Sequence, residues 1–108
     1  MATLEIPVNG RYSSQVMTTV LDGVRYRLSV YYLFRPATWF LDIRTDKEED
    51  LIVGVRLVPD WPLIGRYHVE GKPAGEFIVE DRDGTGVPPG RNDFGKGKRT
   101  RLLYQEAA

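Results

Sequence analysis

The chain contains no cysteine and a single histidine, His68. Without thiols it has no disulfide staple, no thiolate nucleophile and no cysteine-ligated zinc. A transition-metal site would need carboxylates drawn from several elements, so no metal is expected. An excess of charge of one sign is missing too. Fifteen Lys and Arg balance fifteen Asp and Glu, and no global field recruits nucleic acid or anionic lipid. Long apolar runs are absent: Val30-Tyr31-Tyr32-Leu33-Phe34 falls far below the ~20 residues that cross a bilayer. Met1-Ala2-Thr3-Leu4-Glu5 is not a basic leader ahead of an apolar stretch. The expectation is a soluble protein made in a reducing cytoplasm, with no membrane association and no cofactor.

What is present is ordinary globular material. Hydrophobic residues make up 42% and charged residues 28% of 108 positions, which suits one domain over 1–108 and argues against disorder. The dominant period is two. Leu4, Ile6 and Val8 alternate with Thr3, Glu5 and Pro7, and Val24, Tyr26, Leu28, Val30, Tyr32 and Phe34 alternate with Arg25, Arg27, Ser29, Tyr31, Leu33 and Arg35. Trp39, Leu41 and Ile43 form a third series, and Leu51, Val53, Val55 and Leu57 a fourth. Side chains leave a strand on alternate faces, so each series predicts one buried face. Weaker strands are predicted near 14–21, 64–69, 76–81 and 100–105. The fold class is therefore all-β: a small antiparallel barrel or two-layer sandwich of roughly six to eight strands with long loops.

Turn chemistry divides the strands. Asp22-Gly23 supplies the positive φ angles of a two-residue type I′ hairpin. Arg35-Pro36-Ala37 ends one strand, because proline lacks the N–H a ladder requires, and residues 45–50 form a polar hairpin tip. Asp60 is placed to cap a short helical turn beginning near Trp61 and Pro62. Residues 1–13 read as an N-terminal arm or strand. The Gly- and Pro-rich segment 84–99 reads as an irregular loop, or one ordered on contact.

Catalytic chemistry finds little support. His68 has no orienting carboxylate or nucleophile in a recognisable context. Asp81 and Asp83 have ligand-like spacing, but Asp83-Gly84 is explained by a turn and lacks the glycine and bidentate Glu positions of a calcium loop. No enzyme is expected. The one basic concentration is Lys96, Lys98, Arg99 and Arg101, with Arg91 nearby. It reads either as phosphate contacts of a single-stranded nucleic-acid-binding barrel, with Phe94 and Tyr104 as stacking surfaces, or as a solvated strip that meets an acidic partner.

The order of motifs narrows this field. Asp22-Gly23-Val24-Arg25-Tyr26-Arg27-Leu28, Trp39-Phe40-Leu41-Asp42-Ile43, Leu51-Ile52-Val53-Gly54-Val55-Arg56-Leu57-Val58 and Pro62-Leu63-Ile64-Gly65-Arg66-Tyr67 resemble the bacteriophage baseplate plug family. Gly75-Glu76-Phe77-Ile78-Val79, Pro89-Gly90-Arg91-Asn92-Asp93-Phe94-Gly95 and Arg101-Leu102-Leu103-Tyr104 continue the likeness. The resemblance implies a structural virion protein at the distal end of a contractile tail, closing or lining the tube near hub and spike. It implies no enzymatic activity and no small-molecule substrate. Its implied partners are hub, spike, tail tube and tape measure proteins, with several copies in a symmetric ring. Two segments outside the strand pattern carry aromatics, which makes Trp61, Leu63, Tyr67, Arg91, Asn92 and Phe94 the candidate contact residues.

Overall fold

Alternation of β-branched and aromatic residues produces seven strands in the computed structural model, which describes residues 2–107. They are β1 (Thr3–Glu5), β2 (Ser14–Leu21), β3 (Val24–Leu33), β4 (Thr38–Thr45), β5 (Asp50–Arg56), β6 (Glu76–Asp81) and β7 (Thr100–Gln105). Two antiparallel sheets result, ordered β1-β7-β6 and β2-β3-β4-β5. Among the described residues there is no helix, and the sheets do not close into a barrel. The architecture is sandwich-like. One apolar cluster takes Leu28, Val30, Trp39, Leu41 and Ile43 from the larger sheet and Phe77, Val79, Leu102 and Tyr104 from the smaller.

The Asp22-Gly23 turn forms as its sequence requires, with φ of 51° and 81° and Leu21 paired to Val24. It also joins the two sheets. The buried Tyr104 hydroxyl on β7 donates to Asp22 Oδ2 (2.5 Å) and accepts from the Gly75 N–H (2.7 Å). Burial, reinforced by the Asp22 bond, raises the Tyr104 phenol above its ordinary 10.0.

Several expectations are corrected. The series through Leu51, Val53 and Val55 loses phase: Ile52 and Val55 are buried while Val53 is exposed. The cause is a bulge, because Leu41 and Ile43 of β4 face Val55 and Ile52 of β5. Gly54 takes up the extra residue at φ 73°, and its N–H is held by Asp42 Oδ1 at 2.7 Å. Residues 64–69 are not a strand. The Glu76 carboxylate accepts from the Ile64 and Gly65 N–H groups (2.8 and 2.7 Å), and Tyr67 N–H closes a turn onto the Ile64 carbonyl. No helical turn starts at Trp61, because Asp60 sits at φ 57° and donates its N–H to the Val79 carbonyl. In the N-terminal series β1 ends at Glu5 with one further ladder bond, from the Ile6 N–H to the Leu102 carbonyl (2.9 Å), and Ile6 and Val8 reach the core while Leu4 is exposed. Val24 and Phe34, predicted inward, are exposed at the ends of the β3 alternation.

The segment between β6 and β7 is irregular but tied throughout. Phe94 is fully buried, with its ring centroid 5.1 Å from that of Trp39, whose indole N–H donates to the Gly90 carbonyl at 2.8 Å. Phe94→Ala is therefore expected to cost about 3–5 kcal/mol in a urea titration of the isolated protein, whereas an unchanged midpoint would show that the ring is dispensable to the core.

Candidate functional site

The sequence-predicted residues do not form one site; the fold distributes them between core, internal ion pairs and surface. Leu63 and Phe94 are buried, so neither offers contact area in this structure. Trp61 does: it is 57% exposed, on a segment fixed against β6 by the Asp60 bond and by the Leu63 N–H to the Phe77 carbonyl (3.2 Å). Tyr67 is half-buried against the core and lies under the Arg66 guanidinium, 5.2 Å from the ring centroid. Asn92 is exposed at the turn of the second loop. Arg91 is spent internally, donating to the Gly10 and Arg11 carbonyls (both 2.9 Å) and stacking over Trp39 at 5.7 Å.

The basic strip separates in the same way. Arg101 stands on the central strand of its sheet between Glu5 of β1 (3.0 Å) and Glu80 of β6 (2.8 Å). Arg99 binds Asp81 (2.9 Å) and Asp93 (3.0 Å), and also donates to the Val87 and Pro88 carbonyls. Neither arginine is left for a phosphate backbone, and the Phe94 and Tyr104 rings expected to stack on bases are inside the core. Lys96 and Lys98 remain exposed, lining with Pro7, Val8 and Arg11 a cleft of about 460 Å³.

Asp81 and Asp83, whose spacing suggested ligation, form a closed structural knot instead. The buried Asp81 carboxylate accepts from the Thr85 hydroxyl (2.6 Å) and from the N–H groups of Asp83, Thr85 and Gly86, besides pairing with Arg99. The Thr85 hydroxyl bond, helped by those amides and by Arg99, lowers its pKa from the ordinary 3.8 to about 2 against the opposing effect of burial. Among the described residues no cluster of three His, Asp or Glu side chains is arranged to hold a metal. His68 is exposed on the irregular segment rather than on a strand.

Alternation missed some surface residues. Phe34 is 74% exposed, with its edge against Tyr32 at 5.1 Å. Tyr12 is exposed at the same end of the β2–β3 pair, beside Leu33, which the alternation places on the wetter face. The signal that marks Phe34 is the Arg35-Pro36 that follows it: a side chain beyond the last ladder pair, Leu33 with Thr38, has no opposing sheet to enter. On the outer face of the larger sheet, Tyr31 stacks on Phe40 and donates to Asp42 (2.9 Å). Burial and that bond raise the Tyr31 phenol to about 12, partly opposed by Arg44.

The fold and this surface define a small all-β, sandwich-like module in which Asp81, Arg99 and Arg101 are paired internally. The family model of the cyanophage baseplate Pam3 plug gp18 matches residues 3–107, and the chain belongs to that family. No curated protein sequence matches it.

The depressed Asp81 pKa sets a direction for acid stability. The folded chain holds this proton less readily than the unfolded one, so the stabilisation is complete above the ordinary 3.8 and is lost as pH falls through about 2. Asp81→Asn should lower the neutral-pH urea midpoint and flatten the decline across that acid window; an identical pH profile for both proteins would contradict the assignment.

Proposed function

We propose that this chain is a passive structural subunit of a phage tail baseplate, a plug at the distal end of the tail tube of a contractile tail, near hub and spike. The observation that carries the reading is the family match, which runs over residues 3–107. The structure lends support in how it uses its charged groups. Asp81, Arg99 and Arg101 brace the fold, while Trp61, Phe34 and Tyr12 present exposed aromatic rings at loops and strand ends. Aromatics held on rigid elements suit protein contacts, since they bury much area at little cost in side-chain entropy.

In this reading the subunit is made in the host bacterial cytoplasm and joins the virion in several copies, meeting hub, spike, tube or tape measure proteins. A small domain has a modest core of its own, and docking into a ring adds stability through mass action. Trp61, Tyr67 and Asn92 are the contact residues proposed from the loops, with Phe34 added. The nucleic-acid reading loses both arginines and both stacking rings and keeps only Lys96 and Lys98.

Trp61→Ala is the informative substitution, because the side chain is exposed and its removal leaves the core intact. It should leave the melting temperature of the purified chain unchanged while reducing its incorporation into phage particles several-fold. Full incorporation of the variant would remove Trp61 from the interface.

A further inference from the structure

Three of the four sheet edges are blunted. The open side of β6 is covered by residues 59–63, through the Pro59–Val79 bridge and the Asp60 and Leu63 amides. β5 is interrupted by the Gly54 bulge and ends in charges at Asp50 and Arg56. β1 is three residues long and is stopped by Pro7. These are the usual devices that keep a sheet edge from pairing.

β2 has none of them. It runs eight residues, Ser-Gln-Val-Met-Thr-Thr-Val-Leu, at the end of the larger sheet, paired only with β3 and in unbroken register. It contains no Pro and no Gly, and it is the one described strand without an Asp, Glu, Lys or Arg. The Tyr32 N–H donates to the Ser13 carbonyl, so the odd-numbered residues turn their backbone groups toward β3. The N–H and C=O of Ser14, Val16, Thr18 and Val20 consequently point away from the sheet. Their side chains are exposed as well, Val16 to 62% and Val20 to 52%.

We propose that β2 is a docking edge for a second copy of this chain, paired antiparallel about a two-fold axis at Met17. In this register Val16 faces the second copy's Thr18, Ser14 faces its Val20, and Met17 faces its own equivalent. The residues that meet by hydrogen bonding are then the very ones whose backbone groups are free. Pairing of even with even also keeps both outer faces on one side, so two four-stranded sheets become one continuous sheet. Every facing pair is uncharged, and Val opposite Thr is a favourable cross-strand combination. A self-complementary strip of this kind is what an isologous interface requires. Neighbours in a ring of three or more copies meet through heterologous contacts, whereas this pair is isologous, so it describes the free subunit before incorporation, with its adhesive edge covered.

The pairing rests on the edge geometry and not on the baseplate reading. Sedimentation of the purified full chain over a concentration series should show a monomer–dimer equilibrium. Thr18→Pro removes an N–H that faces outward and leaves the ladder to β3 intact, and it should raise the dimer dissociation constant about tenfold or more. Register is read by cross-linking, because the chain has no native cysteine. Met17→Cys should form a disulfide-linked dimer on mild oxidation, and Val20→Cys should not. If Thr18→Pro loses its far-ultraviolet β signal, the cysteine pair decides alone. A wild-type chain that stays monomeric, a dimer untouched in folded Thr18→Pro, or equal cross-linking of the two cysteine variants overturns the proposal. A monomer that still enters phage particles defeats the pairing and spares the baseplate role, while a dimer absent from particles does the reverse.

Discussion

Arg99 stands where the chain re-enters the sheet after the irregular segment between β6 and β7, and much of the molecule is organised by what its guanidinium holds. It binds the Asp81 carboxylate at the end of β6, the Asp93 carboxylate inside the loop and two carbonyls at Val87 and Pro88. Asp81 is buried and Arg99 largely so, which makes the pair sensitive to loss of either member: a charge left alone there has neither water nor a partner. Asp93 also accepts the Gly90 N–H, and its carbonyl takes the Thr100 N–H and hydroxyl. The loop is thereby given a fixed path. That path delivers Phe94 against Trp39, and the Lys96 N–H to the Val8 carbonyl ties the same loop to the N-terminal segment.

A subunit built in this way presents a preformed surface. Glycine and proline in 84–99 do not mark a segment waiting for a partner to order it; they allow the backbone to wrap a guanidinium and a carboxylate. The ordering entropy is met within the chain, so a partner docking onto the proposed contact residues Asn92 and Trp61 would not have to supply it.

Local chemistry was legible where it acts locally. Asp22-Gly23 demanded positive φ angles, and Tyr26, Leu28 and Val30 alternated because their neighbours in sequence are their neighbours on the strand. What escaped was set by residues far along the chain. The phase of β5 is shifted by Asp42 on β4, and the strand expected at 64–69 is folded into a turn by Glu76. Phe94 resembled an exposed loop aromatic because no periodic pattern surrounds it; its burial depends on Trp39. The basic strip was a cluster only along the chain, since Glu5, Glu80 and Asp81 reach it from elsewhere and Asp93 folds back onto it from within the same loop. A resemblance carried by motif order stood outside these errors, because it depended on spacing and not on the orientation of any one side chain.

The claim on which this account turns is that the segment between β6 and β7 is ordered in the free protein. Hydrogen exchange of the isolated chain, read at the amides of Gly90, Gly95, Lys96 and Thr100, tests it most directly. Protection close to that of the β6–β7 ladder is expected, since these amides are bonded to acceptors on Asp93, which Arg99 holds in place, and on the buried Thr100 and Val8. Exchange at the rate of an unstructured peptide, with β6 and β7 still protected, would contradict the account.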